Sequence, residues 1–435
     1  MNRLGFFLFV SCALPLCARE IPGEMQLPPE LSAYSLTLAP ETKELLLKKG
    51  DLLAICGDSI TEQKQYSVLI ETYLTACLPE LEIRCRQFGW SGEQAGGFLG
   101  RIKSDVLRFK PDVATTCYGM NDFKYVPFEE PIAAEYRKNQ IAVLEAFKSI
   151  GCEVVLGSPG IIDSVPHWVR SAKGTQQELN LSLSKFRNID IEIAKEKRTS
   201  FADVYGPMLV ADFEAKKKFG DEFKTAGNDG VHPDWAGHVI MAYAFLKGLG
   251  VDGDLGTITY DESSGKASAT GGHTVSSSSA GTIELHSSRI AFCPGAGPID
   301  QFNSMQTGLE LVPFDDELNR FTLKISDPKA KNYKVTWGDQ SKTFTGAEMK
   351  RGINLPKQFD ANPMVDAFKK VEEAVSKKQA YETRQIKELA HGPEGAADIE
   401  VTFSLTEKTR APLAAAVAES LQPVDHVITI AAESE

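Results

Sequence analysis

The chain has 435 residues, of which 42% are hydrophobic and 24% charged, so its composition is that of an ordinary globular protein and excludes a disordered, collagen-like or coiled-coil chain. Lysine and arginine number 47 against 59 aspartates and glutamates, a formal net charge of −12. This acidic balance would repel phosphate groups and no basic run relieves it, so we expect no nucleic-acid partner.

The first residues are typical of an export signal. Residues 1–3 form a short basic start that carries Arg3, residues 4–16 form an apolar run, and we expect cleavage near Ala18. The apolar run is too short to cross a bilayer, and no later stretch approaches about 18 apolar residues, so we expect an exported protein without stable membrane insertion. Cys17 would carry the lipid of a lipoprotein, but Leu16 is larger than the residue that normally precedes such a cysteine.

From about residue 40 to 250, short β-like runs alternate with helical segments. We predict strands at residues 51–56, 81–86, 112–118, 153–157 and 201–205, and helices at residues 65–77, 98–109, 132–150, 176–197 and 235–249. Repeated β-α units of this length imply a parallel sheet with helices on both faces. The sequence therefore predicts an α/β domain.

The composition changes after residue 250, where turns rich in glycine, serine and threonine appear. We predict antiparallel strands at residues 256–260, 282–285, 321–325 and 333–337. The remainder is expected to be a charged helical stretch at 362–392, a strand at 398–405, an alanine-rich helix at about 411–421 and a strand at 426–430. No internal repeat is found.

These elements predict five segments along the chain. They are a signal peptide at 1–18, a lead-in segment at 19–44, the α/β domain at 45–250, a β-rich accessory domain at 251–360, and a helical segment with closing strands at 361–435. We expect the last segment to pack on the accessory domain.

Six cysteines follow the leader, at positions 56, 77, 85, 117, 152 and 293. Their spacing is irregular and contains no CxxC pair, so a structural zinc site is not expected. Cys77 and Cys85 could form a disulfide in an oxidising compartment, but isolated buried cysteines are also common as small apolar core residues. The sequence leaves both interpretations open.

A serine follows the first predicted strand, in the phrase Gly57-Asp58-Ser59. Open α/β sheets place ligands at this end of their strands. Ser59 becomes a nucleophile only beside a base, and Gly57 allows the tight turn that would expose it. Taken alone, Asp58 or Ser59 is more simply explained as the cap of the next helix.

Loops after the second and third strands contain groups suited to bind a negatively charged oxygen. Residues 88–93 hold two glycines, which let a backbone N–H approach a substrate closely, and Asn121 in the phrase 119–122 can add a side-chain amide. Each feature also has a simpler explanation, because glycine loops are common and Asn121 fits an Asx turn.

The most specific phrase is the pentapeptide 229–233, just before the last helix of the α/β domain. His232 can accept the proton of Ser59, and Asp229 can orient the His232 imidazole, as in a Ser-His-Asp relay. Asp229, His232 and His238 could also be drawn as a metal triad. We do not expect a metal there, because His238 falls within the helix, where packing or capping explains it better.

Together the four phrases resemble the SGNH (GDSL-type) hydrolase superfamily, whose blocks carry serine, glycine, asparagine and Asp-x-x-His in this order. The resemblance covers about residues 45–250. It implies that Ser59, Asp229 and His232 are nucleophile, acid and base. It also implies an oxyanion hole formed by the Ser59 N–H, Gly92 and Asn121.

The resemblance further implies a flavodoxin-like three-layer parallel sheet, followed here by a smaller β-rich domain with helical segments. Block I departs from the family pattern at Cys56, and block II departs at Gln87, where asparagine is frequent, so support of the block II loop is in doubt. Residues near the four phrases could line the pocket, namely Asp58, Trp90, Tyr118, Asp122, Trp168 and His167.

The implied reaction is two-step acyl transfer without metal or organic cofactor. We expect an exported carboxylester hydrolase that removes acetyl or other small acyl groups from carbohydrate. A lipase, lysophospholipase or thioesterase of the same fold is one alternative, and a catalytically silent glycan-binding or cell-surface module is another. The carbohydrate substrate rests on export, the acidic composition and fold-level analogy for the β-rich region. The sequence leaves the oligomeric state open.

Overall fold

A computed structural model describes residues 23–433 of the chain. The leader, the cleavage near Ala18 and the lipoprotein alternative at Cys17 lie outside the described residues and stay predictions. Within residues 23–433, none of the helices combines the length and apolar character needed to cross a bilayer.

The first half of the described chain contains a five-stranded parallel sheet in the order β2-β1-β3-β4-β5. Its strands are β1 (Leu52–Gly57), β2 (Arg84–Gly89), β3 (Val113–Cys117), β4 (Glu153–Gly157) and β5 (Ser200–Ala202). This is the flavodoxin-like strand order, with its switch point between β1 and β3. The predicted α/β fold is therefore confirmed.

Seven helices belong to this domain of the described chain. They are α1 (Ser59–Glu62), α2 (Tyr66–Cys77), α3 (Ala95–Asp105), α4 (Glu130–Lys148), α5 (Gln176–Lys197), α6 (Tyr205–Phe219) and α7 (Trp235–Gly248). Helix α2 packs on α7, while α3, α4 and α5 pack in series, and these two groups cover the two faces of the sheet. Helix α6 was not predicted, because we extended the fifth strand to residue 205, where this helix begins.

The second half forms two further sheets, in the orders β13-β10-β6-β7 and β12-β11-β14-β9-β8. Their strands are β6 (Asp254–Asp261), β7 (Lys266–Ala269), β8 (His273–Ser279), β9 (Thr282–Ser287), β10 (Arg320–Ile325), β11 (Asn332–Trp337), β12 (Gln340–Thr345), β13 (Ile353–Asn354) and β14 (Val424–Glu433). The β-rich second half is confirmed. Strands β6 and β10 pair in parallel, so the prediction of antiparallel strands is wrong for this pair; the long connection between them permits a crossover.

The helices of the second half are α8 (Met305–Leu311), α9 (Phe314–Leu318), α10 (Gly346–Arg351), α11 (Leu355–Gln358), α12 (Val365–Arg384), α13 (Pro393–Ala397) and α14 (Ile399–Ser420). A π-helical turn, Gln385–Ala390, follows α12. The strand predicted at 398–405 is wrong, because this stretch lies in α14. Asp398 caps that helix by accepting from the N–H groups of Glu400 and Val401.

The closing strand and the C-terminal helices pack on different parts of the protein. Strand β14 joins the accessory sheet between β9 and β11, as expected. Helix α12 instead lies along α2 and β2 of the α/β domain, with α14 packed against it. The start of α12 also contacts the accessory domain, where the Phe368 ring lies 4.8 Å from that of Phe292, while Val371 and Val375 further along are buried together with Val68 of α2. This segment therefore packs on both domains.

The six cysteines of the described residues are all buried free thiols. Cys77 and Cys85 therefore do not form the disulfide that the sequence left open. Burial raises the pKa of both thiols, as expected for cysteines that act as small apolar core residues.

Candidate active site

Ser59 is presented by the tight turn from β1 into α1. A Cβ on Gly57 would lie 2.1 Å from the Thr61 Oγ1 and 2.9 Å from the Cys117 carbonyl oxygen, so this turn requires glycine. Asp58 caps the helix by accepting from the Ile60 N–H at 3.0 Å. As the first residue of the helix, Ser59 has an N–H without an intrahelical partner, which leaves this donor available to a ligand.

Ser59, His232 and Asp229 form an unbroken hydrogen-bonded line. His232 Nε2 lies 2.8 Å from the Ser59 Oγ, and His232 Nδ1 lies 2.7 Å from the Asp229 Oδ2. The other carboxylate oxygen of Asp229 accepts from the N–H groups of His232 and Val231, at 2.8 and 2.9 Å. With Nδ1 donating to the carboxylate, Nε2 is free to accept the proton of the serine hydroxyl.

The environment of Asp229 favours its ionised form. Partial burial opposes ionisation, but the backbone N–H groups of His232 and Val231 and the His232 ring outweigh it and lower the pKa of Asp229 below its ordinary value. The carboxylate is therefore charged at neutral pH and can stabilise a positive charge on the adjacent imidazole.

Two loops beside Ser59 contain the residues that the sequence predicts as oxyanion donors. Gly92 adopts φ +73°, and within residues 23–433 its N–H forms no hydrogen bond. Asn121 follows β3, and its side-chain amide donates to the Glu93 carbonyl at 3.1 Å and to the Asp58 carboxylate at 3.4 Å. The amide is thus held between the residue before Ser59 and the residue after Gly92.

Residues 55–240 match the model of the GDSL-like lipase/acylhydrolase family. An acetylxylan esterase from Geobacillus stearothermophilus is 26% identical over 227 residues, which are 48% of this chain and 95% of that protein. The α/β domain is thus similar to the GDSL-like acylhydrolases. Both matches identify the protein as an ester hydrolase.

Solved structures resemble this GDSL-like hydrolase over different lengths. A gut microbial diltiazem-metabolizing enzyme superposes with a TM-score of 0.69 at 22% identity, covering 90% of this chain and 99% of that one. The fold of both halves therefore recurs in one other protein. A crystal structure of the Geobacillus stearothermophilus acetylxylan esterase Axe2 covers 47% of this chain and 97% of that one, with 25% identity and a TM-score of 0.39.

The pocket residues predicted for the hydrolase fall into two groups. Trp168 is 41% exposed, and its ring centroid lies 5.9 Å from that of His232 with 29° between the planes, so it borders the site. His167 packs edge-on against the Trp168 ring, at 5.3 Å. Trp90 lies in the block II loop, and its ring centroid is 4.9 Å from that of His391.

Three other predicted pocket residues are buried and bonded within the protein. The Tyr118 hydroxyl donates to Glu93 at 2.9 Å. Asp122 accepts from the Ala95 and Gly119 N–H groups, both at 3.0 Å. Burial raises the pKa of Asp58 to about 7 and that of Asp122 to about 6. These side chains support the site loops and offer no open surface to a substrate.

His238 lies apart from the site, inside α7. Its Nδ1 accepts from the Tyr66 N–H at 3.3 Å, and its Nε2 faces the Gln63 amide oxygen at 3.2 Å. Burial lowers its pKa to about 3, so the ring is neutral. Across residues 23–433, no group of three or more histidine, cysteine or acidic side chains is arranged to hold a metal ion.

Sequence reasoning missed the residues that support the block II loop. Glu62 accepts from both the N–H and the hydroxyl of Ser91, and Glu93 forms a buried ion pair with Arg101 at 2.6 Å. Glu93 and Arg101 carry opposite charges eight residues apart, which could have suggested that the loop before α3 folds back onto this helix. No local signal marks Glu62, because charged residues at the end of a short helix are common.

Proposed function

We propose that this ester hydrolase is a serine acetylesterase acting on carbohydrate, with Ser59 as nucleophile, His232 as general base and Asp229 as orienting acid. The observation that carries the proposal is the hydrogen-bonded line from the Ser59 hydroxyl through the His232 ring to the Asp229 carboxylate, at 2.8 and 2.7 Å. These distances suit proton transfer, and the Asp229 carboxylate favours the tautomer that keeps the proton on Nδ1.

In the proposed reaction, the Ser59 Oγ attacks the ester carbonyl while His232 Nε2 takes the hydroxyl proton. The negative charge on the tetrahedral oxygen is stabilised by the N–H groups of Ser59 and Gly92 and by the Asn121 amide, which exchanges its long 3.4 Å bond to Asp58 for one to this oxygen. His232 then protonates the leaving alcohol, which leaves an acyl group on Ser59. Water attacks that acyl group after giving a proton to His232, and the acid is released as Ser59 regains its hydrogen.

The openness of the site supports a small acyl group on a bulky, soluble alcohol. The His232 and Asp229 side chains are 26% and 37% exposed, so the reacting groups lie near the surface. Cavities of about 670 Å³ beside β2 and about 850 Å³ beside α3 are lined by residues other than Ser59, His232 and Asp229. The related acetylxylan esterase, alike over nearly its whole length, agrees with this substrate class.

The exposed Trp168 ring adds a second argument for carbohydrate. Apolar ring faces that border a polar site suit the C–H faces of a sugar, and Trp168 lies beside the His232 ring that would protonate the sugar oxygen. The acyl group is held at Ser59, so an aromatic neighbour of His232 lies on the side of the alcohol.

A fluorophosphonate probe and a substrate panel test the proposal. Wild-type protein should label rapidly and Ser59→Ala should not, since the probe reacts with an activated serine. Acetylated xylan or acetylated sialic acid should be deacetylated faster than a lysophospholipid is hydrolysed. Preference for the long acyl chain would overturn the carbohydrate substrate, and an unlabelled wild type would favour a silent glycan-binding module.

We also propose that the protein is exported, on the pattern of residues 1–18 alone. Amino-terminal sequencing of the protein recovered from an expressing cell tests this directly. A new terminus near residue 19 is the expected result, and an intact leader on fully folded protein would contradict export.

A further inference from the structure

The loop that carries Gly92 is fixed to α1 by a single carboxylate. We call residues 90–93 the oxyanion loop. Glu62, the last residue of α1, accepts from the N–H and the hydroxyl of Ser91, both at 2.5 Å. Ser59 is the first residue of the same short helix. The helix that presents the nucleophile therefore also holds the residue next to Gly92.

The same carboxylate is bound from the other side by the C-terminal half of the chain. Lys387, in the π-helical turn after α12, donates to both carboxylate oxygens of Glu62, at 2.6 and 2.8 Å. Its ammonium also lies 5.2 Å from the centre of the Trp90 ring. Lys387 thus touches the oxyanion loop directly at Trp90 and indirectly through Glu62.

His391, the residue that follows this turn, also contacts the oxyanion loop. His391 packs edge-on against Trp90, with ring centroids 4.9 Å apart, and its Nε2 lies 2.8 Å from the Asp105 carboxylate. Asp105 is the last residue of α3 and also faces Arg101, whose guanidinium binds Glu93 of the loop. Side-chain contacts therefore hold both ends of the oxyanion loop, Trp90 at one end and Glu93 at the other.

The strand that leads into the loop is tied to α12 as well. Gln87 is buried, donates to the Thr61 carbonyl of α1 at 2.7 Å and accepts from the Thr383 hydroxyl at 3.2 Å. The Gln87 N–H donates to Glu382 at 3.1 Å. The residue at which this sequence departs from the family's asparagine therefore supports the loop through a contact with the C-terminal half.

The charges at Glu62 explain why Lys387 should matter to the loop. Burial opposes ionisation of Glu62, but the hydrogen bonds from Lys387 and Ser91 lower its pKa below the ordinary value. Without Lys387, the part-buried Glu62 carboxylate loses the ammonium that binds both of its oxygens, while the nearby Lys64 ammonium binds the Glu62 backbone carbonyl instead. The carboxylate would then turn toward water, or exchange its bonds to Ser91 for bonds to solvent.

We propose that the C-terminal half positions the oxyanion loop, and that Lys387 is the positioning residue, acting through Glu62 on Ser91 and so on the Gly92 N–H. This inference rests on the proposed function, because it assigns a purpose to the loop only if Gly92 binds the reacting oxygen. It goes further by making the second half of the chain part of the catalytic scaffold.

The test compares Lys387→Met with a matched lysine elsewhere. Lys247 pairs with Glu317 at 2.9 Å, and this pair also joins the α/β domain to the second half, but it does not touch the loop. With 4-nitrophenyl acetate, Lys387→Met should lower kcat at least about tenfold with KM within twofold, because small displacements of transition-state donors are costly. Lys247→Met should keep the wild-type kcat, and Lys387→Arg should recover most of it.

A double-mutant cycle separates positioning from general stability. Glu62→Gln and Lys387→Met should each slow both turnover and fluorophosphonate labelling, and the double variant should be no slower than the worse single variant. Equal kcat for Lys387→Met and Lys247→Met, or full additivity with Glu62→Gln, would overturn the inference. A wild type without Ser59-dependent turnover would instead overturn the proposed function, so the two failures are distinguishable.

Discussion

Replacing Asp229 with asparagine tests the proposed relay without removing the bonds that shape its loop. An asparagine oxygen can still accept from the N–H groups of Val231 and His232. The amide nitrogen then faces His232 Nδ1, where the carboxylate now accepts at 2.7 Å. The ring must either lose this bond or move its proton to Nε2, and a protonated Nε2 cannot accept from Ser59.

The size of the effect follows from charge and exposure. An imidazolium and a carboxylate about 4 Å apart attract by roughly 4 kcal/mol at an effective dielectric of about 20, and by roughly 1 kcal/mol in bulk water. The His232 and Asp229 side chains are 26% and 37% exposed, and a dielectric of about 20 is typical of such pairs near a protein surface, so the first value applies. Since about 1.4 kcal/mol is a tenfold change in rate, we expect kcat to fall about 1000-fold with little change in KM.

Steady-state kinetics on 4-nitrophenyl acetate, with a thermal melt of each variant, measures this directly. Asp234→Asn is the matched control, because Asp234 belongs to the same loop and caps α7 by accepting from the Trp235 N–H at 2.8 Å. That variant should retain kcat within about threefold, since asparagine is also a good helix cap. A folded Asp229→Asn protein that keeps more than about a tenth of wild-type kcat would refute the assignment of Asp229.

Three further changes test neighbouring parts of the structure. Trp168→Ala should raise KM for acetylated xylo-oligosaccharides about tenfold but leave KM for 4-nitrophenyl acetate unchanged, because only the sugar would contact the ring; an equal rise for both contradicts a sugar contact. Gly89→Ala should lower the free energy of unfolding by about 2 kcal/mol or more, since its Cβ would lie 2.3 Å from the Glu62 nitrogen; Gly100→Ala, with open space around its Cβ, should not. Burial raises the pKa of Asp58 from 3.8 to about 7, so folding retains a proton and this group destabilises the fold as pH rises through that window. Asp58→Asn should therefore gain stability relative to wild type as pH rises from about 4 to about 7 in urea unfolding, and a constant difference over this range would contradict the buried carboxyl.

The α/β domain was predictable because its signals are local. Strand β4 and helix α5 have the predicted bounds, Glu153–Gly157 and Gln176–Lys197. The start of α5 is marked in the sequence by a capping box, in which Thr175 and Glu178 bind each other's backbone N–H groups. Such features are decided within a few residues and need no knowledge of tertiary contacts.

The errors fall where tertiary packing overrides a short pattern. Residues 398–405 alternate in polarity as a strand would, but they continue into an alanine-rich stretch that forms one long helix, and Thr402 and Phe403 of that helix are buried. The parallel pairing of β6 with β10 was equally hidden, because a strand pattern does not record the direction of its partner.

The candidate site was predictable in part for the same reason. Asp229 and His232 share one loop, and a serine at the end of β1 is placed at the ligand-binding edge by the sheet topology. The Glu62–Lys387 pair spans 325 positions and carries no motif. Only the folded chain shows that a lysine of the second half reaches the block that holds Gly92.

The C-terminal helices cover an exposed edge of the parallel sheet, and this role explains their position. Strand β2 is an edge strand, and exposed strand edges invite unwanted pairing. Here α12 lies along β2, and the buried Arg86 of that strand pairs with Glu407 of α14 at 2.7 Å. Without these helices, the Arg86 charge would lose this partner. Because α12 runs directly into the turn that holds Lys387, the cover of the edge ends beside Glu62. The helix that covers the edge of the sheet therefore also places Lys387 beside the oxyanion loop. We expect a substitution that disrupts one of these two contacts to weaken the other.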